Sequence, residues 1–123
     1  MSDNLYITMP AYNEAANIEE TIKQWHPIVE KISPDSRLVI VNDGSKDNTF
    51  EIMEGLRDNY QQLIPITKIN SGHGSTLLFS YNYCIESNAD YIFQTDSDGQ
   101  TDPEEFWSFW EKRTEKDFII GAR

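Results

Sequence analysis

A chain of 123 residues carries 21 acidic side chains against 10 Lys and Arg, a formal charge of -11. That length suits one domain with a real core. The charge argues against a nucleic-acid binder and against a polybasic grip on anionic lipid, both of which need Lys and Arg in excess. A protein this acidic needs a local charge inverter to bind an anionic ligand, and a bound cation would serve. Cys84 is the only cysteine, so no intrachain disulfide forms, which suits a reducing compartment. Met1 to Asn4 lack the basic and apolar regions of a signal peptide, and no apolar run approaches the ~20 residues of a membrane span. A soluble, cytoplasmic chain is expected.

Strand and helix patterns alternate along the chain. Leu5 to Met9 reads as a short strand stopped by Pro10. A helix follows, with Asn13 as its cap and Glu14 in the first turn. Ile18, Ile22, Trp25, Val29 and Ile32 fall on one helical face, and Pro27 predicts a kink or a fresh start. His26, just before that proline, reads as a surface residue. Arg37 to Val41 is a second strand, ending in the turn residues Asn42-Asp43-Gly44-Ser45. Asp47 caps a helix that turns Phe50, Met53, Leu56 and Tyr60 inward.

Ile64 to Ile69 holds the third strand. Gly72-His73-Gly74-Ser75 opens a helix with Leu77, Leu78, Tyr81 and Ile85 on its buried side, and Cys84 reads as packing on that helix. Tyr91 to Thr95 is the fourth strand. Asp102-Pro103-Glu104-Glu105 is a strong helix start, leading to Phe106, Phe109 and Trp110. Trp25, Trp107 and Trp110 sit at helical positions and read as packing. Phe118 to Ile120 reads as a fifth strand. This order predicts an α/β fold, a mainly parallel sheet with helices on both faces.

In such sheets ligands sit beyond the carboxyl ends of the strands. Three polar clusters fall there, Pro10 to Glu14, Asn42 to Ser45, and Asp96 to Gln100, and they are expected to share one cleft. Asp96 and Asp98 are two residues apart, a spacing that points both side chains the same way if the strand continues. Two carboxylates converging there, with Gln100 as a neutral oxygen, suit Mg2+ or Mn2+. The plainer alternative makes Asp96 and Asp98 turn residues that cap nearby amides. Asp43 can equally serve its own Asp-Gly-Ser turn, and Glu14 a helix dipole.

Pro10-Ala11-Tyr12-Asn13-Glu14, then Val41-Asn42-Asp43-Gly44-Ser45 with Asp47 and Thr49, then Asn70 before a Gly-rich helix start, then Asp96-Ser97-Asp98-Gly99-Gln100 with Asp102-Pro103-Glu104, resemble in order and spacing the family-2 glycosyltransferases of the GT-A fold. The Asp-x-Asp-Gly-Gln form and the ending Ile119-Ile120-Gly121-Ala122-Arg123 are most similar to the polyprenyl-phosphate sugar transferases. The resemblance implies that Pro10, Ala11 and Tyr12 line a nucleotide base pocket, with Glu14 near the base or ribose. Asp43 would accept a hydrogen bond from base or ribose, and Asp96, Asp98 and Gln100 would hold the metal on the donor's diphosphate. It also implies inverting transfer of a sugar from a nucleoside-diphosphate sugar to a lipid phosphate or a saccharide. His73 stands where such proteins commonly carry Lys or Arg.

Such proteins also continue beyond a donor-binding part. Residues 1–123 are therefore expected to form a single donor-binding domain, with the acceptor half and any catalytic base beyond Arg123. Apolar surface left open by a missing half would favour a homodimer. Two other classes fit parts of the pattern: a phosphoryl-receiving signalling domain of flavodoxin-like fold, and a non-catalytic nucleotide-sugar binding module.

Overall fold

The computed structural model describes residues 4–97 and 102–111. Strands β1 (Leu5–Ala11), β2 (Arg37–Asp43), β3 (Leu63–Lys68) and β4 (Tyr91–Gln94) alternate with helices α1 (Ile18–Ile32), α2 (Thr49–Gly55), α3 (His73–Glu86) and α4 (Pro103–Glu111). The pairings are parallel and the spatial order is β3-β2-β1-β4. The sheet thus grows one way from β1 to β3 and the other way to β4. Right-handed connections then put α1 and α2 on one face and the returning α3 on the opposite one. A flavodoxin-like receiver would run 2-1-3-4-5, with β3 beside β1; here β2 lies between them, and that alternative is discarded.

The two faces are packed differently. Leu5, Ile7 and Met9 of β1, Leu38 and Ile40 of β2 and Phe93 of β4 join Ile18, Ile22, Trp25 and Val29 of α1, Met53 of α2 and Phe106 of α4 in the larger core. The intervening residues Tyr6, Val39 and Val41 face Cys84 of α3, as the two-residue period of a strand requires. Trp25 and Phe93 lie 5.9 Å apart, Phe93 and Phe106 4.9 Å, and Tyr91 and Trp110 5.4 Å between ring centroids. The tryptophans are therefore packing residues. Asp102 caps α4 as its sequence predicts, accepting from the Glu104 amide at 3.0 Å.

Several expectations are corrected. β1 runs through Pro10 to Ala11. α1 starts at Ile18, so its acidic first turn is Glu19 and Glu20, and Asn13 is a left-handed residue at φ 55 in the preceding loop. Pro27 lies inside an unbroken α1, on its exposed side, as does Lys23, whose carbonyl it leaves unbonded four residues back.

His26 is buried. Its Nε2 accepts the Gln62 amide at 3.1 Å, and its ring meets Tyr60 edge-on at 5.0 Å. Burial lowers its pKa, with Glu30, 3.6 Å away, opposing the shift.

α3 turns inward Thr76, Ser80 and Cys84, not the expected set. Leu77 and Tyr81 are half-buried, while Leu78 and Ile85 are each 62% exposed. Small residues at i, i+4 and i+8 let α3 lie close on the central strands. The Thr76 and Ser80 hydroxyls bond carbonyls of their own helix, Gly72 and Thr76, both at 2.9 Å, so their burial leaves no polar atom stranded. Burial pushes the Cys84 thiol up to about 12, which makes it inert at neutral pH. The fifth strand expected at Phe118 to Ile120 lies outside the described residues. Among the described residues no helix is long and apolar enough to cross a membrane.

Candidate functional site

The carboxyl ends of β1, β2 and β4 and the start of α3 border one hollow of about 540 Å3. It opens beside the reversal of strand order between β1 and β4, where open α/β sheets bind ligands. Pro10, Ala11, Tyr12 and Glu14 line it from the first polar cluster, Asp43 from the second, and Asp96 and Ser97 from the third. Asn70, Gly72, His73 and Thr76 complete the wall on the α3 side. The clusters do meet. Asp98 and Gln100 lie outside the described residues.

The loops after β1 and β2 are laced together by their own polar side chains. The Asn13 amide donates to Ser45 Oγ at 2.8 Å, and the Lys46 amide donates to Asn13 Oδ1 at 2.8 Å. The Glu14 amide donates to Thr49 Oγ1 at 2.9 Å and the Ala15 amide to Asp47 Oδ2 at 3.2 Å. Asp47 also accepts from the Thr49 amide and hydroxyl, which starts α2. Asn13, Ser45, Asp47 and Thr49 thus fasten the frame. The left-handed backbone at Asn13 is one that Asn tolerates better than most residues. Tyr12 is left at the lip of the hollow, 44% exposed.

Asp43 is only 5% exposed, and its carboxylate does not serve its own turn. Oδ1 accepts from the Ser71 amide at 2.9 Å and from Lys68 Nζ at 3.3 Å; Oδ2 accepts from the Gly72 amide at 3.2 Å. Burial alone would raise its pKa. The Ser71 amide, Lys68 and the Thr76 hydroxyl outweigh burial and hold it below the usual carboxylate range. The Asn70 side chain donates to the Asp43 carbonyl at 2.9 Å. Gly44 follows at φ +61, and a Cβ there would stand 2.6 Å from the Asn70 nitrogen. Only glycine suits that position.

On the other wall, β1–β4 pairing reaches Thr8 opposite Gln94. Two residues on, Pro10 would stand opposite Asp96, but proline has no amide hydrogen to give. The strand ends there. Ser97 Oγ donates to the Pro10 carbonyl at 2.7 Å, and Thr21 Oγ1 donates to the Ser97 carbonyl at 3.2 Å. β4 stops at Gln94, so Asp96 lies beyond the strand.

Asp96 is half-buried and lines the hollow. Its carboxylate oxygens are the hard ligands Mg2+ or Mn2+ takes, although the described residues contain no group of three or more metal-ligating side chains. Glu14, Asp43 and Asp96 bring three carboxylates to the lining, which includes no Lys or Arg among the described residues.

Sequence reasoning gave no role to Lys68, Thr76 or Ser97. The signal for Lys68 is topological: once β3 pairs with β2, Lys68 stands in register with Asp43.

Residues 6–123 match the family model for glycosyl transferase family 2. The chain belongs to that family. Curated relatives of this family-2 chain are longer. An undecaprenyl-phosphate 4-deoxy-4-formamido-L-arabinose transferase from Pseudomonas paraeruginosa is 25% identical over 122 residues, 98% of the chain and 35% of that protein. A dolichyl-phosphate beta-glucosyltransferase from Trichomonas vaginalis is 30% identical over 80% of the chain and 30% of that protein. A UDP-N-acetylglucosamine–dolichyl-phosphate N-acetylglucosaminyltransferase from Methanococcus voltae is 29% identical over the whole chain and 53% of that protein. The family-2 chain therefore spans between about a third and a half of these relatives.

Proposed function

We propose that this family-2 chain holds the nucleoside-diphosphate sugar donor for transfer to an acceptor, a polyprenyl phosphate in preference to a saccharide. The observation that carries the reading is that Asp43 and Asp96, 53 positions apart in sequence, face one hollow with Tyr12 at its lip. The polyprenyl phosphates named for all three relatives support the lipid acceptor. A buried, lone Cys84 suits a cytoplasmic setting for it.

In this reading Asp43 accepts a hydrogen bond from the base, and the exposed Tyr12 ring gives the base a face to stack on. Pro10 and Ala11 shape the floor of that pocket, and Glu14 lies near the ribose. Asp96, with Asp98 and Gln100, holds Mg2+ or Mn2+. That cation would offset the charge that builds on the leaving diphosphate. Three carboxylates lining the hollow make such a counter-charge necessary for an anionic ligand. Inversion at the anomeric carbon then follows from one in-line displacement by the acceptor. A lipid phosphate is already ionised and asks for no strong base.

Calorimetry with Mn2+ and UDP or GDP tests this directly. The chain should bind at least one of them in a Mn2+-dependent way. Asp96→Ala should weaken binding about tenfold or more and abolish the dependence on Mn2+. A chain that binds neither nucleotide at millimolar concentration overturns the reading.

A further inference from the structure

Asp43 is crowded by its own protein before any ligand arrives. A carboxylate offers about four lone-pair positions, two on each oxygen. Oδ1 has both filled, by the Ser71 amide at 2.9 Å and by Lys68 Nζ at 3.3 Å. Oδ2 has one filled, by the Gly72 amide at 3.2 Å. The neighbouring Thr76 hydroxyl has a single proton, within reach of the Gly72 carbonyl at 2.9 Å and of the Asp43 carboxylate; a ligand donor that takes the last position on Oδ2 leaves that proton on Gly72. One acceptor position remains, on Oδ2.

Lys68 is also saturated. An ammonium has three hydrogens, and these go to Asp43 Oδ1, to the Ile69 carbonyl at 3.0 Å and to Ser71 Oγ. It stands beside Asp43 in the β2–β3 register, so its position is set by the sheet. Its side chain is 17% exposed. Its reach into the site is through Asp43, whose Oδ1 it keeps occupied.

Resting on the donor-binding reading above, we propose that Lys68 is a specificity-determining residue: it leaves Asp43 one free acceptor and so selects uracil over guanine. Uracil presents one ring N–H, at N3. Guanine presents two donors side by side, N1–H and the N2 amino group, and a carboxylate grips both only if each oxygen has a free position. With Oδ1 filled, a guanine would bury one donor without a partner, which costs far more than a hydrogen bond is worth when made. Cytosine is disfavoured as well, because its N3 is an acceptor and would face the carboxylate.

The test is calorimetry of the 123-residue chain with Mn2+ and three probes: UDP, GDP and UDP methylated at N3. UDP should bind about tenfold or more tighter than GDP, and N3-methylation should remove most of that advantage. Lys68→Met frees Oδ1 and should narrow the gap mainly by strengthening GDP. Equal or tighter binding of GDP to the unmutated chain overturns the proposal and leaves the donor reading intact. So does N3-methyl-UDP binding as well as UDP. A chain that binds none of the probes removes both readings together. The first two comparisons need no variant, so a Lys68→Met chain that fails to fold leaves the decision with them.

Discussion

Asp43 ends a strand that is paired on both sides, and three protein donors reach its carboxylate. Asp96 lies two residues past the end of the four-residue β4, the outermost strand among the described residues, beside a loop anchored through Ser97. The two acids face the same hollow, yet the carboxylate of one is held by donors from β3 and the β3–α3 loop, and the other lies past the end of a short strand. Under the proposed donor reading, the difference separates two tasks. A base of fixed shape is best met by a wall set in advance, because an ordered wall loses little freedom on binding. A diphosphate with its cation gathers ligands from wherever they project.

Asp43→Ala should have the largest effect. It strips the partner from Lys68 and from the Ser71 and Gly72 amides, and about 3 kcal/mol of stability should go with it in urea denaturation. The wild-type contribution has a definite pH sense. The folded Asp43 carboxyl titrates below its ordinary value, so the stabilisation is full above the ordinary carboxylate range and fades as pH falls through the folded pKa. Asp43→Asn should flatten that acid limb.

Gly44→Ala comes next. A methyl at φ +61, 2.6 Å from the Asn70 nitrogen, should cost about 2 kcal/mol by the same measurement. Ser97→Ala should cost least, about 1 kcal/mol for one hydrogen bond, with faster amide exchange at Asp96 and Ser97 and none at Ser71 and Gly72. A Ser97→Ala loss equal to that of Asp43→Ala would erase the distinction between the walls.

Much of this arrangement can be read before folding. The apolar period of α1 names its buried face, and βα alternation brings three distant polar clusters to one end of a parallel sheet. What escapes the sequence depends on neighbours that only the folded chain supplies. Hydropathy assigns Leu78 and Ile85 to the core. The close seat of α3 on the sheet instead favours Thr76, Ser80 and Cys84, whose small size is invisible to a hydrophobic count. His26 looks exposed until the Gln62 amide, 36 residues away, is seen to need an acceptor. Asn13 reads as a helix cap and Ser45 as a turn residue, but with Asp47 and Thr49 their side chains bond amides across the loops after β1 and β2. Lys68 carries no local signal; its partner lies 25 residues back on the next strand.

Pro10 marks the edge of the hollow. Parallel strands knit together one amide at a time, and the seam between β1 and β4 reaches a residue that has no stitch to offer. Past that point backbone pairing gives way to a side-chain tie, the Ser97 hydroxyl on the Pro10 carbonyl, and both residues border the hollow. A cleft made this way needs no hinge and no inserted loop.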